Sequence, residues 1–91
     1  MTQKFLMSEV MIEIAAERFY QDQKHGNLEN SGHTIGEWII IMEAELAEAK
    51  HALIKGGEGR DSVLHEILQT VATGVACLEQ HGLMEIKGRA V

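Results

Sequence analysis

Proline is absent from the 91 residues, and cysteine occurs once, at Cys77. A single cysteine excludes an intramolecular disulfide and leads us to expect a reducing, cytoplasmic setting. Without proline nothing in the chain forbids long helices, and the glycines fall where helices would end. No apolar run approaches the length of a membrane span. A basic cluster is missing too: the formal charge is −6 and the sequence pI ≈ 5.2. Nucleic acid and anionic membranes are therefore not expected partners, since both require a positive footprint. The opening stretch MTQKFLMSEV has one lysine and a two-residue apolar step, which is not the pattern of a signal peptide.

What is present points to helices. The length fits one domain over residues 1–91, and a monomer of 10.1 kDa would bury only about 64% of its unfolded surface. Such a thin core suggests association between chains. The spacing predicts a first helix over 8–24, with Ser8 as its N-cap and Gly26 just past its end. Residues 26–33, GNLENSGH, read as a loop. Thr34 and Glu37 form a capping box for a second helix over 34–55, with His33 and Trp38 placed for a staple contact. Gly56 and Gly57 should stop it. A third helix is expected over 61–81, starting near Asp61 or Ser62 and ending at Gly82. The tail 83–91 has no clear pattern. We expect an all-α fold: three main helices in an antiparallel bundle completed by homo-oligomerisation.

On the second helix, Ile39, Met42, Leu46, Ala49 and Leu53 follow helical spacing and form an apolar seam. Beside it runs Trp38, Ile41, Glu45, Glu48 and Ala52. Glu43, Glu45 and Glu48 crowd two turns, and like charges at this spacing repel by about 0.2–0.5 kcal/mol per pair. Neither Glu45 nor Glu48 has a lysine four residues on, as a solvated face usually would. The third helix has an apolar set of Leu64, Ile67 or Leu68, Val71, Val75 and Leu78, and a polar stripe of Glu66, Gln69 and Thr73. A short connector makes these helices antiparallel neighbours. At ~1.5 Å per residue Gln69 lies level with Glu48, and Glu66 near residues 51–52. Glu45, Glu48, Glu66 and Gln69 are thus expected around one point, as a metal site or as an acidic face.

The segments AERFYQDQKHG, HTIGEW, ELAEA and HEILQTVATGVA, in this order across residues 9–82, resemble the short MazG-like proteins. These belong to the all-α nucleoside-triphosphate pyrophosphohydrolases. The resemblance implies a helical homodimer or homotetramer binding Mg²⁺, or Mn²⁺ in its place, through E-x-x-E on one helix and E-x-x-D on the next. It also implies hydrolysis of an NTP or dNTP to the monophosphate and pyrophosphate. By position the metal ligands would be Glu45, Glu48, Glu66 and Gln69. Gln69 stands where the family has an acid, Ala44 where it often has another, and His25 where relatives have tryptophan.

Losing one unit charge ~4 Å from a cation forfeits on the order of 4 kcal/mol per unit of cation charge at an effective dielectric of 20. Mg²⁺ sites nevertheless often rest on one or two carboxylates plus substrate phosphates. Under this reading Glu45 or Glu48 is ligand or general base. Arg18, Gln21 and Lys24 hold phosphates, and Trp38, with His33, contacts the base. The plainer alternatives are a helix-end cation for Lys24, an ion pair for Arg18 and a staple for Trp38. Cys77 and His81 have i, i+4 spacing, but two ligands do not make a zinc site. Two rival functions are a di-iron carboxylate bundle built on the E-x-x-H of Glu48 and His51, and a non-catalytic helical dimer binding nucleotide or protein.

Overall fold

A computed structural model describes residues 3–55 and 59–82. Regular structure among them is entirely helical, in the order α1 Met7–His25, α2 Leu28–Ser31, α3 Ile35–Lys55 and α4 Gly59–His81. Gly56, Gly57 and the tail 83–91 lie outside the described residues, so the expected glycine stop and the tail have no structural account.

The helix ends follow local chemistry, with two corrections. Ser8 is not the N-cap of α1, because the helix begins at Met7 after Leu6. The Glu9 side chain reaches back and accepts the Leu6 N–H at 2.9 Å, so the helix is capped ahead of the serine. The segment 26–33 is not all loop. Asn27 caps a single turn, its side chain accepting from the Asn30 N–H at 3.3 Å. The third long helix begins at Gly59, before the expected Asp61.

The α3 start agrees with its capping box. The Thr34 N–H donates to Glu37 at 2.8 Å, and the Glu37 N–H donates to the Thr34 hydroxyl at 3.1 Å. Gly26 and Gly82 take φ +88° just past α1 and α4, where a side chain would be strained and glycine is not.

α3 and α4 lie antiparallel: Trp38 meets Gln80, Met42 meets Gly74 and Glu45 lies near Thr73. Their approach is close because small residues line it. Ala49, Ala52, Ala72 and Ala76 are buried, and a Cβ on Gly74 would sit 3.2 Å from the Met42 methyl carbon. α1 packs on α4.

The inward face of α3 is not the apolar seam. Ile39, Leu46 and Leu53 are 53%, 57% and 68% exposed, and only Ala49 of that seam is buried. The inward stripe is instead Trp38, Glu45 and Ala52, because the alanines permit the close packing that bulky residues would prevent. On α4, Leu64, Ile67, Val71 and Leu78 are likewise exposed while Thr73 is buried. Among the described residues no large side chain is completely enclosed, and the chain exposes 7409 Å², against about 5,300 Å² for a compact monomer of this mass. Among the described residues no helix is long and apolar enough to cross a membrane.

Candidate functional site

The two polar stripes face each other across α3 and α4. Stepping one turn beyond the Glu45–Thr73 meeting brings Glu48 level with Gln69. A cavity of about 390 Å³ opens here, bounded by α1, α3, α4 and the 26–33 segment. This size is ordinary for a ligand cleft. Glu45, Glu48, Gln69, Arg18, Gln21, Lys24, His33 and Trp38 all line it. Glu66 does not. It lines a second, smaller depression together with Glu48 and His51, so Glu48 borders both.

Glu45 is the electrostatic centre. Burial raises its pKa above the ordinary carboxylate value, and the charges of Glu48, Glu66 and Glu17 add to the rise. The Thr73 hydroxyl partly offsets these effects. One Glu45 carboxylate oxygen is fully enclosed without a hydrogen-bond partner.

Glu17, which the spacing argument left out of the metal set, has one such oxygen as well. Its side chain is only 8% exposed, and the His65 Nε2 faces that oxygen from 3.6 Å. The sequence contained a weak signal for it: Glu17 is one helical turn before Gln21, on the face of α1 turned to α4.

Arg18 is committed to partners. Its Nε and one terminal nitrogen donate to the two Glu79 oxygens at 2.8 and 3.1 Å, and that terminal nitrogen also contacts Asp22 at 3.0 Å. These bonds, led by Glu79, raise its pKa further. The fork geometry matches carboxylate recognition, so Arg18 holds α1 to the end of α4. Gln21 reaches from α1 to the Gln69 carbonyl and the Thr73 hydroxyl, each at 3.5 Å. Lys24 is exposed at the cavity wall.

Trp38 is 7% exposed. Its ring meets His33 edge-on at 4.7 Å, the expected staple, and its indole N–H donates to Gln80 at 2.9 Å. Gln80 also accepts the His33 N–H at 3.0 Å and donates to the His33 carbonyl at 2.8 Å. His81 Nε2 stands 2.8 Å from the same carbonyl. Gln80, absent from the sequence reading, thus fastens the 26–33 segment as one wall of the cavity. Cys77 is a half-buried thiol.

The donors suit a hard divalent cation in kind, since carboxylate and amide oxygens are what Mg²⁺ takes. They do not form a closed chelate: among the described residues no three His, Cys, Asp or Glu side chains are disposed to hold a metal by themselves. The enclosed oxygens of Glu45 and Glu17, neither with a hydrogen bond, fit a cation completed by water and phosphate oxygens rather than an all-protein cage. The di-iron alternative gains proximity, since Glu48, His51 and Glu66 share a depression, but it meets the same geometric limit.

No protein-family profile, curated protein or solved structure matches the chain.

Proposed function

We propose that the protein is a Mg²⁺-dependent nucleoside-triphosphate pyrophosphohydrolase, converting an NTP or dNTP to the monophosphate and pyrophosphate. One observation carries the reading: the cavity concentrates carboxylates around the half-buried Glu45, at a cost to its ionisation that the Thr73 hydroxyl only partly offsets. A divalent cation would offset that cost. It would also make an acidic cleft hospitable to a polyanion, since Glu17, Asp22, Glu45 and Glu48 otherwise oppose only Arg18 and Lys24 there.

Glu45, Glu48 and Glu66 would hold the cation, with the Gln69 carbonyl as a neutral fourth donor. A Mg²⁺ ion held there would supply neutralisation of the triphosphate charge and activation of the attacking water. Water attacks the α-phosphorus, the bond from that phosphorus to the oxygen bridging to the β-phosphorus breaks, and pyrophosphate leaves. Glu45 or Glu48, whichever the cation leaves free, takes the water's proton. Lys24 and Gln21 bind phosphate oxygens, Arg18 keeps α1 in place, and Trp38 with His33 forms the wall against which the base rests.

The reading includes a homodimer or homotetramer. The surface in excess of a compact monomer, about 2,100 Å² per chain, exceeds the ~800 Å² each partner gives to a standard interface. Much of it is apolar, as with Leu46, Leu53 and Ile54. A cytoplasmic location is part of the same proposal, on the lone Cys77.

Pyrophosphate release from a panel of NTPs and dNTPs, with Mg²⁺ or Mn²⁺ and with Glu48→Ala as control, tests it. Metal-dependent release that the variant loses is the expected result. Silence across the panel from a folded protein would favour the second reading, a non-catalytic nucleotide- or protein-binding dimer. That reading is supported by Gln69 and by the absence of a ready-made chelate among the described residues.

A further inference from the structure

We propose that Glu17, on α1, supplies the carboxylate that position 69 lacks, so that the cation site is built from three helices rather than two. The inference rests on the metal-dependent reading and adds a ligand to it.

Three observations converge. Glu17 is a carboxylate in a nearly closed environment, 8% exposed, with one oxygen enclosed and unbonded. Burying a carboxylate oxygen without a hydrogen bond is costly, and a cation offsets that cost. The His65 Nε2 faces this same oxygen from 3.6 Å, an ion-pair contact when the imidazole is protonated, but it is 59% exposed and beyond hydrogen-bonding distance.

Second, Glu17 borders the same cavity as Glu45, Glu48 and Gln69, and its charge is felt at Glu45. Third, α1 is held over the Gln69 turn by contacts one turn further on, where Gln21 reaches the Gln69 carbonyl and the Thr73 hydroxyl. The Arg18 fork onto Glu79 secures the crossing. Glu17 therefore borders the cavity from α1, where Gln69 borders it from α4. Glu17 and Glu45, each with an enclosed oxygen and no hydrogen bond to it, are carboxylates that would help hold a cation there.

Mn²⁺ binding to the full chain, followed by the electron paramagnetic resonance signal of free Mn²⁺ up to millimolar concentration, tests the assignment without any turnover. The variants are Glu17→Gln, Glu48→Gln, His65→Asn and the double variant Glu17→Gln/Gln69→Asp, each checked for helicity by circular dichroism. Glu17→Gln should weaken binding tenfold or more, Gln69→Asp should restore most of it in the double variant, and His65→Asn should change it less than twofold. Glu17→Gln binding as tightly as wild type while Glu48→Gln does not would overturn the role of Glu17 and leave the metal site standing. Loss on Glu17→Gln without recovery in the folded double variant would overturn the exchange between positions 17 and 69. A loss in His65→Asn equal to that in Glu17→Gln would mean that Glu17 serves the imidazole instead. No Mn²⁺ bound by wild type, either alone or with a non-hydrolysable nucleoside triphosphate analogue present, would remove the metal-dependent reading itself.

Discussion

The side-chain oxygen of Gln80 accepts the indole N–H of Trp38 at 2.9 Å, joining the last turns of α4 to the first turn of α3. The same oxygen takes the His33 N–H, and the amide nitrogen returns a bond to the His33 carbonyl. Gly32 is part of this fit, since a Cβ there would lie 2.8 Å from the Gln80 amide and 2.7 Å from the Leu28 carbonyl oxygen. Gln80→Leu should cost about 1–3 kcal/mol by stranding these groups. Urea denaturation measures the loss, and a red shift of the single tryptophan's emission reports the opened wall.

The capping box sets the start of α3. Thr34→Ala should cost about 1 kcal/mol in thermal or urea denaturation at neutral pH. The Glu37 carboxyl is held below the usual carboxylate range, first by the Thr34 backbone N–H and then by its hydroxyl. A depressed carboxyl stabilises the fold above its unfolded pKa, and that stability is lost as pH falls through the folded value. The stability gap between wild type and Glu37→Ala should therefore be widest at neutral pH and shrink on acidification below the usual carboxylate range.

Glu45 works in the opposite direction. Its raised pKa means that the folded state binds its proton more tightly than the unfolded state does. Its contribution is fully present below the unfolded pKa and is lost as pH rises through the folded one. Glu45→Gln should make the metal-free protein more stable at pH 7, by about 0.5 kcal/mol for relief of screened like-charge contacts, while abolishing pyrophosphate release. Calorimetric melting at pH 7 and below the usual carboxylate range checks both the sign and its disappearance in acid.

Arg18 and Glu79 should couple. Arg18→Lys keeps the charge but loses the fork, and such a change is not conservative at a two-pronged site. A double-mutant cycle with Arg18→Lys and Glu79→Gln should give a coupling of about 1 kcal/mol, moderate because Glu79 is 46% exposed. If Arg18 held phosphate instead, the larger effect of Arg18→Lys would be on KM.

Leu46→Glu, on the outward seam of α3, should convert an oligomer to monomers in size-exclusion chromatography with light scattering. A chain that is monomeric before substitution would oppose the proposed assembly.

Much of the fold was legible because its signals are local. Thr34 and Glu37 are three residues apart and satisfy each other wherever the rest of the chain goes. Gly26 and Gly82 mark helix ends because glycine tolerates the left-handed backbone there. Glu45 and Glu48 were found as a pair, and Gln69 at the right height, because rise per residue is a property of one helix. Ser8 was misplaced as a cap because Glu9, its neighbour, offers a competing acceptor that reaches the same turn. The loop reading of 26–33 missed a single helical turn because one Asn cap suffices for it.

The direction each helix faces was not legible in this way. The apolar seam of Ile39, Leu46 and Leu53 looks like a core stripe by itself, yet it faces outward in the single chain, where the inward face is alanine, tryptophan and carboxylate. Apolar periodicity reports which face avoids water and not which partner covers it.

By itself the sequence determined helix type, helix ends, acidic character and the level at which Glu48 and Gln69 stand, since each depends on neighbours within a turn or on a count along one axis. Tertiary structure alone decided that Glu17 is buried beside Glu45, that Arg18 belongs to Glu79, and that Gln80 closes the wall behind Trp38. Those relationships span 28, 61 and 42 positions, and arise only when α1 crosses α4 and small residues let α3 and α4 meet.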